Sequence, residues 1–114
     1  MKKSLVLIKE IEKGILSIEI NNTEKRNALS DSLKIELENI ALDLRDNTDI
    51  QIVILSGSDG NFSSGNDIKE KNAFGLGLDL AEARIHNRLG LRMCNAWTNI
   101  PQISIASIEG ACIG

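Results

Sequence analysis

The sequence from residue 52 to residue 67 reads Ile52-Val53-Ile54-Leu55-Ser56-Gly57-Ser58-Asp59-Gly60-Asn61-Phe62-Ser63-Ser64-Gly65-Asn66-Asp67. Its aliphatic start is typical of a strand that is covered on both faces in a parallel sheet, and we place that strand at 51–56. The loop that follows, 57–67, is rich in Gly, Ser, Asn and Asp. A loop of this kind after a buried strand is a common place for backbone N–H groups to bind an anion.

Upstream of this stretch, the pattern predicts a hairpin and a helix. Two short strands at 5–9 and 15–20 flank a turn at 12–14, and the second strand alternates apolar and polar residues. Ser30 is a good helix N-cap, and Asp31 suits the first helical turn. One buried helix face is expected from apolar residues at helical spacing, namely Leu33, Leu37, Ile40, Ala41 and Leu44.

Downstream of the loop, the pattern predicts a second helix and a last strand. The apolar face of the helix is marked by Leu78, Ala81, Ile85, Leu89, Met93 and Trp97. Pro101 closes that helix, and a buried apolar strand is expected at 103–108. Strand, crossover helix and strand form a βαβ unit with an expected right-handed crossover. The final glycine turn stops where a covering helix would begin, so the chain is expected to be truncated there.

Composition excludes several classes of function. The chain has 114 residues, a net charge of -3, 3% aromatic residues and no Tyr. These values argue against nucleic-acid binding, and the apolar runs are too short to span a membrane. We expect a cytoplasmic protein, because Lys9 and Glu10 end the first apolar run too early for a secretion signal. No metal site is predicted; Cys94 and Cys112 are expected to be buried thiols, and His86 a surface residue.

Three interpretations of the 57–67 loop can be compared on local pattern, and the two nucleotide-binding ones fail. The glycine spacing from Gly60 to Gly65 fits a P-loop, but Asn66 stands where that motif requires Lys. A dinucleotide-binding fingerprint is excluded because its glycine spacing is missing. The loop can also be a plain connection in which Asp67 caps a helix that starts near Ile68.

Three stretches of the sequence together resemble the crotonase family, the enoyl-CoA hydratases and isomerases. The first is the loop at 62–69, preceded by Val53-Ile54-Leu55-Ser56-Gly57. The second, Arg26-Asn27-Ala28-Leu29-Ser30, is similar to the family's first CoA-contacting turn. The third, residues 101–114, is similar to the strand and turn that lead into the family's active-site helix. The resemblance implies a crotonase-like α/β fold. Because family domains are more than twice as long, residues 1–114 are expected to be the N-terminal portion of a single such domain.

The resemblance also implies chemistry at a CoA thioester. Two backbone N–H groups form an oxyanion hole that stabilises an enolate-like intermediate. By motif position the first donor is the N–H of Asn66, and the second belongs to the residue after Gly114. The family's catalytic carboxylates also lie beyond Gly114. Losing one oxyanion donor typically costs about a hundred- to a thousandfold in rate. We therefore expect this chain by itself to be inactive.

Substrate-binding residues follow from the same motif positions. Arg26 matches a position near the CoA phosphates, with Lys25 and Lys69 as plausible neighbours, although either lysine can be an ordinary solvated charge. The CoA path is expected to be lined by Ala28, Ser64, Asp67, Ile68 and Lys69. Asp67 is interpreted as a residue that fixes the loop rather than as a base. CoA belongs to the substrate, and no separate cofactor is expected.

The sequence does not decide between two activities of the family, hydration and isomerisation of an enoyl-CoA. Ser64-Gly65-Asn66-Asp67 is similar to the loop of several enoyl-CoA isomerases, which slightly favours isomerase over hydratase in fatty-acid metabolism. The resemblance implies a homotrimer or hexamer for a full-length protein. A competing hypothesis is a truncated or degenerate crotonase-like fragment without catalysis, which acts only as an association or binding module.

Overall fold

The computed structural model describes residues 4–69 and 77–114, which contain one four-stranded sheet and two α-helices. The strands are β1 (Val6–Glu12), β2 (Ile15–Ile20), β3 (Ile52–Gly57) and β4 (Ile103–Ser107), and they lie in the order β1-β2-β3-β4. β1 and β2 are antiparallel, whereas β2, β3 and β4 are parallel. The predicted α/β fold is confirmed. β1 is longer than expected, because an irregularity between Glu10 and Glu12 lets it continue to the hairpin turn.

Helix α1 (Asp31–Arg45) starts where the sequence predicts. The Ser30 side chain accepts a hydrogen bond from the backbone N–H of Leu33 (3.3 Å), which satisfies one of the otherwise unpaired donors of the first turn. The buried apolar face comprises Leu33, Leu37, Ala41 and Leu44. This face packs into a core with Val6, Ile18, Ile20, Ile50 and Val53.

Helix α2 (Leu80–Thr98) begins after its N-cap Asp79, which accepts a hydrogen bond from the N–H of Glu82 (2.8 Å). It is anchored to α1 by polar contacts. The Arg92 guanidinium donates to both carboxylate oxygens of Glu38 (2.9 and 2.6 Å), and these hydrogen bonds and the opposite charge raise the pKa of Arg92. The predicted apolar face is wrong in part: Leu89 alone is buried in this helix, and Leu78 precedes it.

The predicted burial of the parallel strands is also wrong in part. In β3, Val53 is buried and the other residues are only partly covered, while every residue of β4 is exposed. Both helices lie on the face that carries Ile18 and Val53. On the opposite face Ile52 is paired with Ile103, and Ile54 with Ile105, in the parallel register. Nothing in the described chain packs over this aliphatic face.

Two further expectations about single residues are wrong. Cys94 and Cys112 are exposed rather than buried, although Cys94 lines an apolar cavity together with Met93 and Trp97. His86 is largely covered, since its Nδ1 lies 2.7 Å from Oδ2 of Asp31 at the start of α1. Of the helices formed by residues 4–69 and 77–114, none is both long and apolar enough to cross a lipid bilayer.

Candidate functional site

The turn after β2 and the loop after β3 meet at the carboxyl end of the parallel strands. They are joined by backbone hydrogen bonds in which the N–H of Leu29 donates to the C=O of Gly65 (2.8 Å) and the N–H of Ser64 to the C=O of Arg26 (3.0 Å). The Ser64 hydroxyl adds a bond to the C=O of Lys25 (3.0 Å). Since ligands of open α/β sheets bind beyond the carboxyl ends of the strands, this junction is the expected position of a site.

Asn27 holds the junction together from inside. Its side chain is fully buried, and its amide donates to the C=O groups of Ser58 (2.9 Å) and Asn61 (2.6 Å). Its side-chain oxygen accepts from the N–H of Asn22 (2.9 Å). One side chain thus satisfies three backbone groups of two different loops. The role of Asn27 was not predicted, because the 26–30 motif does not show which side chain lies inside the junction.

The backbone at this junction is in an uncommon conformation. Arg26 and Asn27 have φ angles of 51° and 60°, in the left-handed region that L-residues other than Asn and Asp seldom adopt. Such a conformation costs about 1–2 kcal/mol for an ordinary side chain, and it persists only where the surroundings enforce it. The hydrogen bonds of Asn27 supply that enforcement, and they fix the direction in which the neighbouring Arg26 side chain leaves the turn.

The backbone N–H of Asn66 is directed away from this network. Gly65 and Asn66 share one peptide plane, and the C=O of Gly65 is bound to Leu29. In a trans peptide the C=O and N–H point in opposite directions, so the N–H of Asn66 points away from Leu29. Among the described residues, none accepts a hydrogen bond from this N–H. A backbone donor is therefore available at the surface of the junction.

The last turn of the chain lies against the same loop. The N–H of Ser63 donates to the C=O of Ala111 (2.9 Å), and the N–H of Ile113 donates to the C=O of Ser63 (3.0 Å). Contact at Gly65 is so close that an added Cβ would lie 2.7 Å from the backbone oxygen of Ile113. Glycine is thus required at position 65 for two reasons: this close contact and a φ of +89°, which other residues seldom adopt. The chain at Gly114 is brought next to the Gly65–Asn66 peptide.

The junction surrounds a cleft of about 590 Å³, here called the carboxyl-end cleft. Six of the seven predicted site residues line it, namely Arg26, Ala28, Ser64, Asn66, Ile68 and Lys69. Glu24 and Lys25 complete the lining. The seventh, Asp67, is buried beside it. The structure therefore brings the predicted residues together, although they come from two segments, 26–28 and 64–69, that are more than 30 positions apart.

Asp67 fixes the loop through two contacts. Its carboxylate lies 2.8 Å from Nζ of Lys25 and accepts a hydrogen bond from the N–H of Lys69 (3.1 Å). Residues 68–69 form a turn. The predicted helix that starts near Ile68 would continue into residues that lie outside the described part of the chain. Because Lys25 is paired with Asp67, it contributes little net positive charge to the cleft. In the part of the chain that the structure describes, neither Arg26 nor Lys69 is paired with a carboxylate.

Lys34 contacts the loop at Asn66, and this contact was not predicted. Its Nζ lies 2.6 Å from the side-chain oxygen of Asn66 and 3.9 Å from Oδ1 of Asp31. The lysine lies in the first turn of α1, whereas Asn66 follows it by 32 positions. No local pattern links two residues at that separation, so only the folded structure reveals the pair.

A second cleft, here called the amino-end cleft, lies at the opposite end of β3 and β4. It measures about 680 Å³ and is lined by residues of the α1–β3 and α2–β4 connections, including Arg45, Gln51 and Gln102. It contains none of the predicted site residues. Within residues 4–69 and 77–114, no three His, Cys, Asp or Glu side chains are grouped so as to hold a metal ion.

Comparison with known proteins identifies the family. Residues 10–114 match the enoyl-CoA hydratase/isomerase family, to which this chain therefore belongs. The chain is 33% identical to ethylmalonyl-CoA decarboxylase of Danio rerio, over 97% of this chain and 36% of the relative. It is 22% identical to 1,2-epoxyphenylacetyl-CoA isomerase of Escherichia coli, over 95% of this chain and 41% of that protein.

Solved structures agree with the family assignment. AtuE of Pseudomonas aeruginosa superposes with a TM-score of 0.83 at 34% identity, covering 95% of this chain and 41% of that structure. The enoyl-CoA hydratase of Bacillus anthracis superposes with a TM-score of 0.81 at 26% identity, covering 94% and 40%. The fold is crotonase-like, as predicted, and the chain spans about two fifths of the length of these relatives.

Proposed function

We propose that the carboxyl-end cleft binds an acyl-CoA thioester and that the backbone N–H of Asn66 donates a hydrogen bond to the thioester carbonyl oxygen. The observation that carries this proposal is the direction of that N–H. The Gly65 carbonyl is held by Leu29, so the Asn66 N–H is left without an acceptor in the described chain, beside a cleft that Arg26 and Lys69 line. A fixed donor of this kind stabilises the negative charge that develops when the thioester becomes an enolate.

Local charge supports a CoA ligand despite the acidic balance of the chain. CoA carries several negative phosphate charges, whereas the net charge of the chain is -3. Attraction must therefore come from particular side chains. Arg26 and Lys69 line the cleft without a carboxylate partner among the described residues, and Arg26 leaves a turn whose backbone is fixed by Asn27. Arginine binds phosphate through two parallel donors, which suits it to this role.

The relatives favour a substrate class more strongly than a reaction. Ethylmalonyl-CoA decarboxylase, 1,2-epoxyphenylacetyl-CoA isomerase and enoyl-CoA hydratase are named for different reactions, but each name includes a CoA thioester. We infer enoyl-CoA hydratase or isomerase chemistry for the whole protein, with Ser64-Gly65-Asn66-Asp67 slightly favouring isomerisation by its likeness to isomerase loops. A homotrimer or hexamer is the assembly that the family resemblance suggests for a full-length protein.

For the 114-residue chain itself we expect binding without turnover. Asn66 supplies one oxyanion donor, and by family pattern the second donor belongs to the position after Gly114. The contact of Gly65 with Ile113 supports this arrangement, because the position after Gly114 would follow a segment that already lies against the loop. The catalytic carboxylates of the family pattern are also outside these residues.

A calorimetric titration with butyryl-CoA and with CoA tests the proposal. The variant Arg26→Gln should weaken binding of both ligands about tenfold, because it removes a charge-assisted contact to phosphate. The matched control is Arg45→Gln, which removes one arginine from the amino-end cleft and should change neither affinity by more than about twofold. Equal losses in the two variants, or no binding to the parent chain, would contradict the proposal.

The second candidate function is a non-catalytic association module. The observation that favours it is the uncovered aliphatic face of the sheet, on which Ile103 is 66% and Ile105 47% exposed. Exposed apolar faces of this kind mark sites of association. Sedimentation of the purified chain distinguishes the two functions. Self-association that is abolished by Ile105→Ser, together with no affinity for CoA or butyryl-CoA, is the result expected of the module alone.

A further inference from the structure

The lysine that contacts the candidate oxyanion loop is held in place by a chain of polar side chains. Nζ of Lys34 lies 2.6 Å from Oδ1 of Asn66, and its side chain is only 12% exposed. Asp31 flanks it with Oδ1 at 3.9 Å, and Oδ2 of Asp31 lies 2.7 Å from Nδ1 of His86 on α2. Both helices therefore contribute to the position of the ammonium group that faces Asn66.

The Gly65–Asn66 peptide needs such an anchor. Gly65 lacks a Cβ and has a φ of +89°, so rotation of the following peptide plane meets little steric resistance from its own residue. Rotation would turn the Asn66 N–H away from the cleft and present the Gly65 carbonyl there instead. One restraint is the hydrogen bond from Leu29 to that carbonyl. The bond from Lys34 to the Asn66 side chain (2.6 Å) is the second restraint.

We propose that Lys34 is a positioning residue that keeps the Asn66 N–H directed into the carboxyl-end cleft and so confers selectivity for a thioester carbonyl over CoA alone. This inference rests on the proposed function. Lys34 acts through Asn66 and does not touch the substrate, because it is not among the residues that line the carboxyl-end cleft. Its removal therefore affects the ligand part that meets the N–H and spares the part that meets Arg26.

Paired titrations of butyryl-CoA and CoA test the selectivity. Lys34→Met keeps the length of the side chain and removes the ammonium group. We expect it to weaken butyryl-CoA binding about tenfold, the value of one hydrogen bond to a charged group, and to leave CoA affinity within about twofold. The control is Lys13→Met, which removes an exposed lysine at the β1–β2 turn and should change neither affinity.

A double-mutant cycle assigns the effect to the contact itself. Asn66→Ala retains the backbone N–H but removes the partner of Lys34, so it should produce the same thioester-specific loss as Lys34→Met. The double variant should lose no more than either single variant, because one interaction is removed once. Lys34→Arg keeps a donor of similar reach and should restore most of the affinity. Equal losses for CoA and butyryl-CoA would show that Lys34 only attracts phosphate, and would overturn the inference.

Amide hydrogen exchange gives a readout that needs no ligand. In Lys34→Met the Leu29 N–H, which is bonded to Gly65, should exchange about tenfold faster, while the Leu37 N–H in the middle of α1 should exchange as in the parent chain. An unchanged rate at Leu29 would overturn the positioning role. Failure of the parent chain to bind either ligand would instead overturn the proposed function, and thermal unfolding of each variant confirms that it is folded.

Discussion

The two ends of the parallel strands carry clefts of similar size but different construction. The carboxyl-end cleft measures about 590 Å³ and the amino-end cleft about 680 Å³. At the carboxyl end, Arg26 and Asn27 adopt the left-handed conformation, and the Asn27 side chain holds two loops so that a backbone N–H points outward. At the amino end, Gln102 donates to Leu44 and Asn47 and thereby caps the carbonyl end of α1. The volume of a cleft therefore says little about function, whereas the direction of its polar groups says much.

The largest expected effect is a difference in unfolding free energy between variants of Asn27 and Gln102, the buried amide side chains at the two ends. Asn27→Ala leaves three partly buried backbone groups without their partner and forces alanine to a φ of 60°, so we expect a loss of about 3 kcal/mol in the free energy of unfolding. Gln102→Ala removes two bonds to carbonyls at the end of α1 and should cost about 1.5 kcal/mol. Urea unfolding measures both. Equal costs would mean that the carboxyl end is no more tightly constructed than the amino end.

A smaller effect on stability is expected when alanine replaces Gly110, which is in close contact with another loop, or Gly90, which is in open space. Gly110 has a φ of +60°, and an added Cβ would lie 2.1 Å from the backbone oxygen of Gly60. Gly110→Ala should therefore destabilise the chain by about 2 kcal/mol and loosen the last turn from the loop. Gly90 lies in α2 with nothing within 4 Å of an added Cβ, so Gly90→Ala should stabilise by about 0.5–1 kcal/mol. Thermal unfolding that shifts in the same direction for both variants would contradict the close contact at Gly110.

The smallest effect concerns α1, which connects the two ends. Burial raises the pKa of the Glu36 carboxyl, so the folded chain binds this proton more tightly than the unfolded chain does. Stability is therefore reduced at neutral pH and recovers as the pH falls through the raised pKa. Glu36→Gln should stabilise the chain by less than about 1 kcal/mol at pH 7, and the gain should vanish at low pH.

Unfolding measured across pH checks this, with Asp43→Asn on the exposed side of the same helix as the control for the loss of one negative charge. A gain for Glu36→Gln that persists below pH 3, or an equal gain for Asp43→Asn, would assign the effect to something other than the buried carboxyl.

Much of the fold was predictable because it depends on local patterns. The N-cap at Ser30, the apolar spacing of α1 and the continuous aliphatic run of β3 each specify an element without reference to distant residues. The exposure of β4 was not predictable, because an aliphatic strand has the same sequence whether or not another element covers it. The exposure of Ala81 and Ile85 in α2 was missed for a related reason: apolar periodicity does not show that Leu89, Met93 and Trp97 are covered while the earlier turns are not.

In the candidate site too, the residues marked by local motifs were predicted, and the contacts between distant residues were not. The residues of the carboxyl-end cleft were predicted by likeness to the crotonase family, whose motifs mark the 26–30 turn and the 62–69 loop, and the structure brings them together. The Lys34–Asn66 contact and the pairing of Lys25 with Asp67 were not predicted, because each joins residues more than 30 positions apart. Family likeness marked the Asn66 N–H as a donor, but the bond from Leu29 to Gly65 that sets its direction was not predicted.

The most direct test of the central claim is the NMR signal of the Asn66 backbone amide during titration with butyryl-CoA and, separately, with CoA. We predict that its proton resonance moves downfield at saturation with butyryl-CoA and stays in place with CoA, because only the thioester brings a carbonyl oxygen to that N–H. Amides of Gln51 and Gln102 in the amino-end cleft should not move with either ligand. Shifts at those two residues with an unchanged Asn66 signal would contradict the account.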